Sequence, residues 1–150
     1  MRPLRVFLVE NHQDSAKYIR LYLEHLGHEV RAAGDMATAL KELPESNCDV
    51  LISDIGLPDG DGWQLMERMK GTKPAFSIAM SGYGSVEDLC RSRSAGYDHH
   101  LVKPFLPSEL IALLQQAGEA VGNDGNSNKR DLSREDGEAG TRNMTGNLEV

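Results

Sequence analysis

Residues Asp49–Gly62 read DVLISDIGLPDGDG. The apolar run Val50, Leu51, Ile52 ends in Ser53-Asp54 and passes at once into a loop rich in Pro, Gly and Asp. A run of this length bounded by turn residues predicts a buried strand leading into a loop. The carboxylate of Asp54 then falls at the C-terminal tip of a core strand, where open parallel sheets carry their ligand sites. Asp is also a common turn residue, so Asp54 alone reads equally well as a loop cap. The ends of the other strands decide between the two.

Toward the N-terminus, Leu4–Val9 (LRVFLV) is a strand ending at Glu10-Asn11. Helical periodicity follows, with Ala16, Ile19, Tyr22, Leu23 and Leu26 on one face and Gly27 as the stop. Glu29–Ala33 reads as a short strand, and Asp35 as the N-cap of a small helix (Met36, Ala37, Leu40, Leu43) closed by Pro44. Beyond the central loop comes a helix carrying Trp63, Leu65, Met66 and Met69, ended by Gly71. Ala75–Met80 is a strand finishing at Ser81-Gly82. Ser85 and Asp88 resemble a capping box that opens a helix to about Ala95. Tyr97–Val102 is a strand broken by Lys103-Pro104, and Ser108 starts an amphipathic helix through Leu110, Ile111, Leu114 and Ala117 to about Val121.

Five strands alternating with five helices predict an α/β fold: a parallel sheet in a three-layer α/β/α sandwich. Five units suit the flavodoxin-like strand order 2-1-3-4-5 better than the six-stranded dinucleotide-binding order. Strands 1 and 3 are then neighbours. Glu10, Asn11 and Asp54 face one another, and Ser81 and Lys103 reach in from strands 4 and 5. Four strand ends each bring a polar or charged group to one edge, which favours a site over a loop cap.

The 150-residue chain has room for one domain with a hydrophobic core. Its net charge of −7 divides as −5 over 1–121 (12 basic, 17 acidic) and −2 over 122–150 (4 basic, 6 acidic). With no basic stripe, direct nucleic-acid binding is not expected, and anionic membranes repel such a surface. The run Val6–Val9 is too short for a signal segment or a membrane span, so a cytoplasmic location is expected. Cys48 and Cys90 lack metal-ligand spacing and read as buried, reduced thiols. Residues 122–150 hold few apolar residues and no periodicity, and read as a disordered polar tail after a domain over 1–121.

A carboxylate with a second acid beside it, a hydroxyl and a lysine form a sensible set for phosphoryl transfer. Carboxylates hold a divalent cation, while the lysine and hydroxyl hold phosphoryl oxygens. The acceptor carboxylate becomes an acyl phosphate.

The residues Val9-Glu10-Asn11, Ser53-Asp54-Ile55-Gly56-Leu57-Pro58 with Gly60-Asp61-Gly62, Met80-Ser81-Gly82 and Leu101-Val102-Lys103-Pro104-Phe105 resemble the receiver domain of two-component response regulators and hybrid histidine kinases. The match runs in order over about residues 4–121. The resemblance implies a signalling phosphoacceptor rather than an enzyme, one that assists its own phosphorylation and dephosphorylation. Asp54 would take the phosphoryl group from a phosphohistidine on a histidine kinase or histidine phosphotransfer domain. Glu10, Asn11, Asp54 and the Gly56 carbonyl would hold Mg²⁺, and Ser81 and Lys103 would bind the phosphoryl group. The Lys103-Pro104 bond would be cis. A surface over about Ser85–Val121 would meet a downstream protein. The stretch His99–Pro104 also resembles hybrid-kinase receivers.

Two positions depart from the family pattern. Asn11 stands where an aspartate is usual; its amide oxygen can coordinate but brings no charge, so weakened Mg²⁺ binding is expected. This departure also supports an alternative, a non-phosphorylated pseudo-receiver acting as an interaction module. His100 stands where an aromatic switch residue is common, and reads equally as a switch with Ser81 or as a static histidine. His12 and His99 lack ligand spacing. An aspartate-nucleophile phosphatase is disfavoured by Gly56, two residues after Asp54, and a flavin-binding protein by the acidic Glu10–Asp14 loop.

Overall fold

The computed structural model describes residues 3–69, 71–82 and 84–130. Its main sheet has strands β1 (Arg5–Val9), β2 (Glu29–Ala33), β3 (Val50–Asp54), β4 (Phe76–Ser81) and β5 (His99–Val102). All are parallel, in the order β2-β1-β3-β4-β5. Helices α1 (Gln13–His25), α2 (Met36–Ser46), α3 (Gly62–Arg68), α4 (Val86–Ala95) and α5 (Pro107–Arg130) complete the flavodoxin-like α/β/α sandwich. Between Asp54 and α3, Gly56–Leu57 pairs antiparallel with Gly60–Asp61 in a short ribbon.

Strand alternation divides the core. Val6, Leu8, Val50, Ile52, Ile78 and Met80 point to one face, where Ile19 and Leu23 of α1 and Leu110 and Leu114 of α5 cover them. Phe7, Val9, Leu51 and Ala79 point to the other, against Met36 and Leu43 of α2 and Leu65 and Met66 of α3. All five residues of β3 are buried, because helices cover both faces and neighbours pair both edges. This explains why the strand reads as one apolar run.

The caps are as the sequence predicts at two helices. Asp35 Oδ1 accepts the Thr38 N–H (2.7 Å) and Ser85 Oγ accepts the Asp88 N–H (3.1 Å). Several expectations need correction. Pro44 does not close α2: a proline in the last turn removes a single N–H donor, and the helix runs on to Ser46, ending at Asn47 with φ 52. Helix α5 opens at Pro107, not Ser108, with proline in the first turn where its missing donor has no partner to lose. It continues past Val121 to Arg130, since propagation adds a hydrogen bond for each residue fixed. The expected domain boundary at 121 therefore falls inside a helix, and the remainder of the expected tail, 131–150, lies outside the described residues. Cys90 is exposed and Cys48 only half-buried; α4 turns Cys90 outward.

Gly62 fixes the approach of α3 to the end of β3. Its N–H donates to the Ile55 carbonyl (2.8 Å), and its own carbonyl accepts the buried Tyr97 hydroxyl (2.7 Å). A Cβ added there would sit 2.6 Å from the Asp54 carbonyl oxygen and 3.1 Å from Ile55 Cα. Backbone cannot yield as a flexible side chain can, so Gly62→Ala is expected to destabilise the fold by about 1–3 kcal/mol. Urea denaturation would read this as a lower midpoint at unchanged slope; an unchanged midpoint would show that the loop relaxes freely.

Candidate functional site

The site is assembled by β1, β3, β4 and β5, whose C-terminal ends lie together because the strands are parallel. Glu10 follows β1 directly, and its N–H donates to the Ala33 carbonyl (3.0 Å), so it stays tied to the sheet edge. Asp54 is the last residue of β3, and the next N–H, of Ile55, donates to the Met80 carbonyl (2.8 Å). Both carboxylates are buried, with exposures of 2% for Glu10 and 4% for Asp54. Lys103 extends β5 past its last residue, its N–H donating to the Ser81 carbonyl (2.7 Å). The Lys103-Pro104 bond is cis.

The Lys103 ammonium joins the acids. Its Nζ lies 2.6 Å from Asp54 Oδ1 and 2.8 Å from Glu10 Oε1. The other Glu10 oxygen, Oε2, faces His12, accepting the His12 backbone N–H (3.1 Å) and lying 3.2 Å from its Nδ1. The structure thus brings His12 to the carboxylates, against the expectation from its spacing. The contact is made across a bend at Asn11, beyond the end of β1, and no periodic pattern in the sequence signals it. Asn11, between them, is exposed and lines a cavity with Gln13, Lys17 and Gly34.

Ser81 ends β4, and its Oγ lies 2.8 Å from His100 Nε2. His100 Nδ1 lies 2.8 Å from Ser92 Oγ, and Ser92 Oγ accepts the Trp63 Nε1–H (2.9 Å). A neutral imidazole with its proton on Nε2 satisfies this row in one direction, from Trp63 through Ser92 and His100 to Ser81. The Arg91 guanidinium lies over the Trp63 ring at 4.0 Å. Gly56 lies in the ribbon two residues past Asp54. That loop is pinned from outside: Asp59 Oδ1 and Oδ2 accept the Met36 and Ala37 N–H groups (2.7 and 2.9 Å) at the start of α2. No sequence pattern pairs Asp59 with a helix more than twenty residues earlier, nor Ser92 with Trp63.

Burial resists charge on both acids, and their contact lets one yield to the other. Burial raises the Asp54 carboxyl and its hydrogen bond to Glu10 raises it further; Lys103 pulls it down, leaving it at about 7. Burial also opposes charge on Glu10, but hydrogen bonds with Asp54, Lys103 and the His12 backbone bring it to about 2. Burial opposes the Lys103 charge too, yet the two carboxylates hold its pKa above the ordinary lysine value. A pocket with two buried acids and one ammonium favours a further cation, and the acidic oxygen donors suit a hard divalent one.

In the metal-free protein Asp54 keeps its proton in the fold up to about 7, whereas its ordinary value is 3.8. The folded state binds the extra proton, so this group's contribution to stability falls as pH rises through that window. Glu10 acts oppositely, its contribution being lost as pH falls from 4.5 toward about 2. Asp54→Asn is therefore expected to stabilise the chelator-treated protein on the order of 2 kcal/mol at pH 8 and to have little effect at pH 5. Thermal melts at the two pH values check this; equal shifts at both would contradict the burial argument.

The arrangement has close relatives. The sequence model of the response regulator receiver domain matches residues 6–115. Over 113 residues the chain is 32% identical to the transcriptional regulatory protein PhoP of Escherichia coli, covering 75% of this chain and 51% of that protein. It is 34% identical over 121 residues to an uncharacterized 14.6 kDa protein of Leptolyngbya boryana, covering 77% and 91%. The chain thus spans about half the length of curated relatives such as PhoP. Among solved structures, a receiver domain protein of Methanospirillum hungatei superposes with TM-score 0.74 at 26% identity, covering 81% of this chain and 99% of that one. A response regulator of Chloroflexus aurantiacus does so with TM-score 0.72 at 28% identity, covering 77% and 98%. Receiver domains generally bind Mg²⁺, and Glu10 and Asp54 supply an acidic cluster of the kind that requires. On sequence, strand order and neighbours in fold alike, this chain belongs to the response regulator receiver domain family of two-component signalling.

Proposed function

We propose that the chain is a phosphoacceptor switch whose Asp54 takes a phosphoryl group from a phosphohistidine of a histidine kinase or a histidine phosphotransfer domain. The observation that carries this reading is the Lys103 ammonium bridging Asp54 Oδ1 and Glu10 Oε1 at the mouth of the sheet. An Asp54 carboxylate oxygen attacks phosphorus, the P–N bond to the donor imidazole breaks, and the bonding pair leaves with the nitrogen. Lys103 holds a phosphoryl oxygen, and the Ser81 hydroxyl donates to another. Glu10, Asn11, Asp54 and the Gly56 carbonyl would hold Mg²⁺, which when bound would supply charge that favours ionised acids and screens the incoming group. Later attack by water on the acyl phosphate returns the site to its starting state. No helix of the described residues is long and apolar enough to cross a membrane, and the proposed setting is the cytoplasm.

The switch is the row that begins at Ser81. Moving the Ser81 Oγ toward the phosphoryl group breaks its contact with His100 Nε2, and His100 is joined through Ser92 to Trp63. Ser92 is the buried residue of α4, so a polar contact helps to seat this helix beside the packing of Ala95 at its end. Rearrangement there alters the surface of α4, β5 and α5, where Val86 (76%), Leu106 (65%) and Val102 (41%) are exposed for a downstream protein.

A second reading, a pseudo-receiver that binds partners without phosphorylation, is favoured by one feature: the neutral Asn11 leaves two side-chain carboxylates for the cation.

Incubation with acetyl phosphate and Mg²⁺ is expected to add one phosphoryl group, read by intact mass, and Asp54→Asn to abolish it. Asn11→Asp is expected to tighten Mg²⁺ binding and speed the reaction. An adduct that survives Asp54→Asn overturns the assignment; an adduct seen only with Asn11→Asp establishes the pseudo-receiver. Trp63 is the sole tryptophan, so its emission reports the row directly. Phosphorylation is expected to shift that emission, and Ser92→Ala to remove the shift while leaving the adduct. An unshifted emission in fully phosphorylated protein rules out this route to α4.

A further inference from the structure

Past the end of β1 the chain reads Glu10-Asn11-His12, and the bend at Asn11 leaves the His12 ring beside the Glu10 carboxylate. One ligand atom from each of Glu10, His12 and Asp54 lies within 4.8 Å of the other two. His12 Nδ1 and Glu10 Oε2 are 3.2 Å apart. Adjacent ligands of an octahedral cation with bonds of about 2.1 Å are separated by about 3.0 Å, so this pair spans nearly one octahedral edge.

The three groups divide the space. Lys103 takes Glu10 Oε1 and Asp54 Oδ1, which leaves Glu10 Oε2 turned to the imidazole. The His12 side chain is 73% exposed, so this side of the acid pair is open to an ion entering from solvent. Asn11 brings a neutral amide where a third carboxylate would otherwise strengthen a purely oxygen site. Imidazole nitrogen is a poor donor for Mg²⁺ and a good one for first-row transition cations.

We propose that His12 is a metal ligand, so that Glu10, Asp54 and His12 Nδ1 form a mixed oxygen–nitrogen site selective for a borderline divalent cation such as Mn²⁺ or Co²⁺ over Mg²⁺. This rests on the reading that the receiver site holds a divalent cation. The imidazole replaces donor strength that Asn11 lacks, and it does so only for cations that accept nitrogen. The ring makes no side-chain cap bond to α1, so its removal leaves the helix start intact.

Calorimetric titration of the full chain with Mg²⁺, Mn²⁺ and Co²⁺ tests this without any phosphodonor. His12→Ala is expected to weaken Co²⁺ binding about tenfold or more and Mg²⁺ binding less than about twofold. Mn²⁺ should fall between them. Asp54→Asn should weaken all three, which separates this site from adventitious binding at other histidines. A Co²⁺ to Mg²⁺ affinity ratio unchanged by His12→Ala overturns the proposal, while Asp54-dependent binding would leave the receiver reading standing. Co²⁺ binding that survives Asp54→Asn in full also overturns it, since the nitrogen site would then lie elsewhere. The acetyl phosphate adduct is measured with Mg²⁺ and is decided independently of either result.

Discussion

Two carboxylates buried side by side cannot both be ionised without a cation between them, and the site is arranged around that constraint. Glu10 and Asp54 are brought together because β1 and β3 are neighbours and parallel, so their C-terminal ends coincide. Desolvation and the neighbouring Glu10 raise the Asp54 carboxyl far above its ordinary value, and Lys103 offsets only part of this. The unmet demand for positive charge makes the site receptive to a divalent ion.

Holding that pair in place costs the fold apolar contacts, and the surrounding structure compensates. Asp54 ends a strand whose other members are sealed between two hydrophobic layers, so its carboxylate can be buried without disturbing the core. The loop after it is fixed at both ends, by Asp59 on the N-terminus of α2 and by Gly62 against the backbone of Asp54. Helix α4 is different. Its buried residue is a serine, and its attachment runs through hydrogen bonds to His100 and Trp63. An element seated by polar contacts can change partners at little cost, whereas one seated in a packed core cannot.

Asn11 and His100 each sit beside a group that makes a polar contact of its own. Asn11 carries no charge, and His12, one residue on, places a nitrogen on the Glu10 carboxylate. His100 replaces an aromatic ring with one that bonds at both nitrogens, which ties Ser81 to α4 through hydrogen bonds in place of packing.

The sequence by itself determined the order of elements, the alternation of core residues, the caps at Asp35 and Ser85, and the placement of Glu10, Asp54, Ser81 and Lys103 at the strand ends. These follow from short-range periodicity and from the rule that parallel strands end at one edge, so they require no knowledge of packing. Only the tertiary structure decided how Lys103 divides itself between two acids, that Glu10 Oε2 faces His12, and that Ser92 joins His100 to Trp63. It also carried α2 past Pro44 and α5 past Val121, where local breakers argue for a stop. Side-chain contacts between separate elements depend on how helices settle on the sheet, a choice made by the summed burial of many residues. A linear pattern does not encode that sum at any one position.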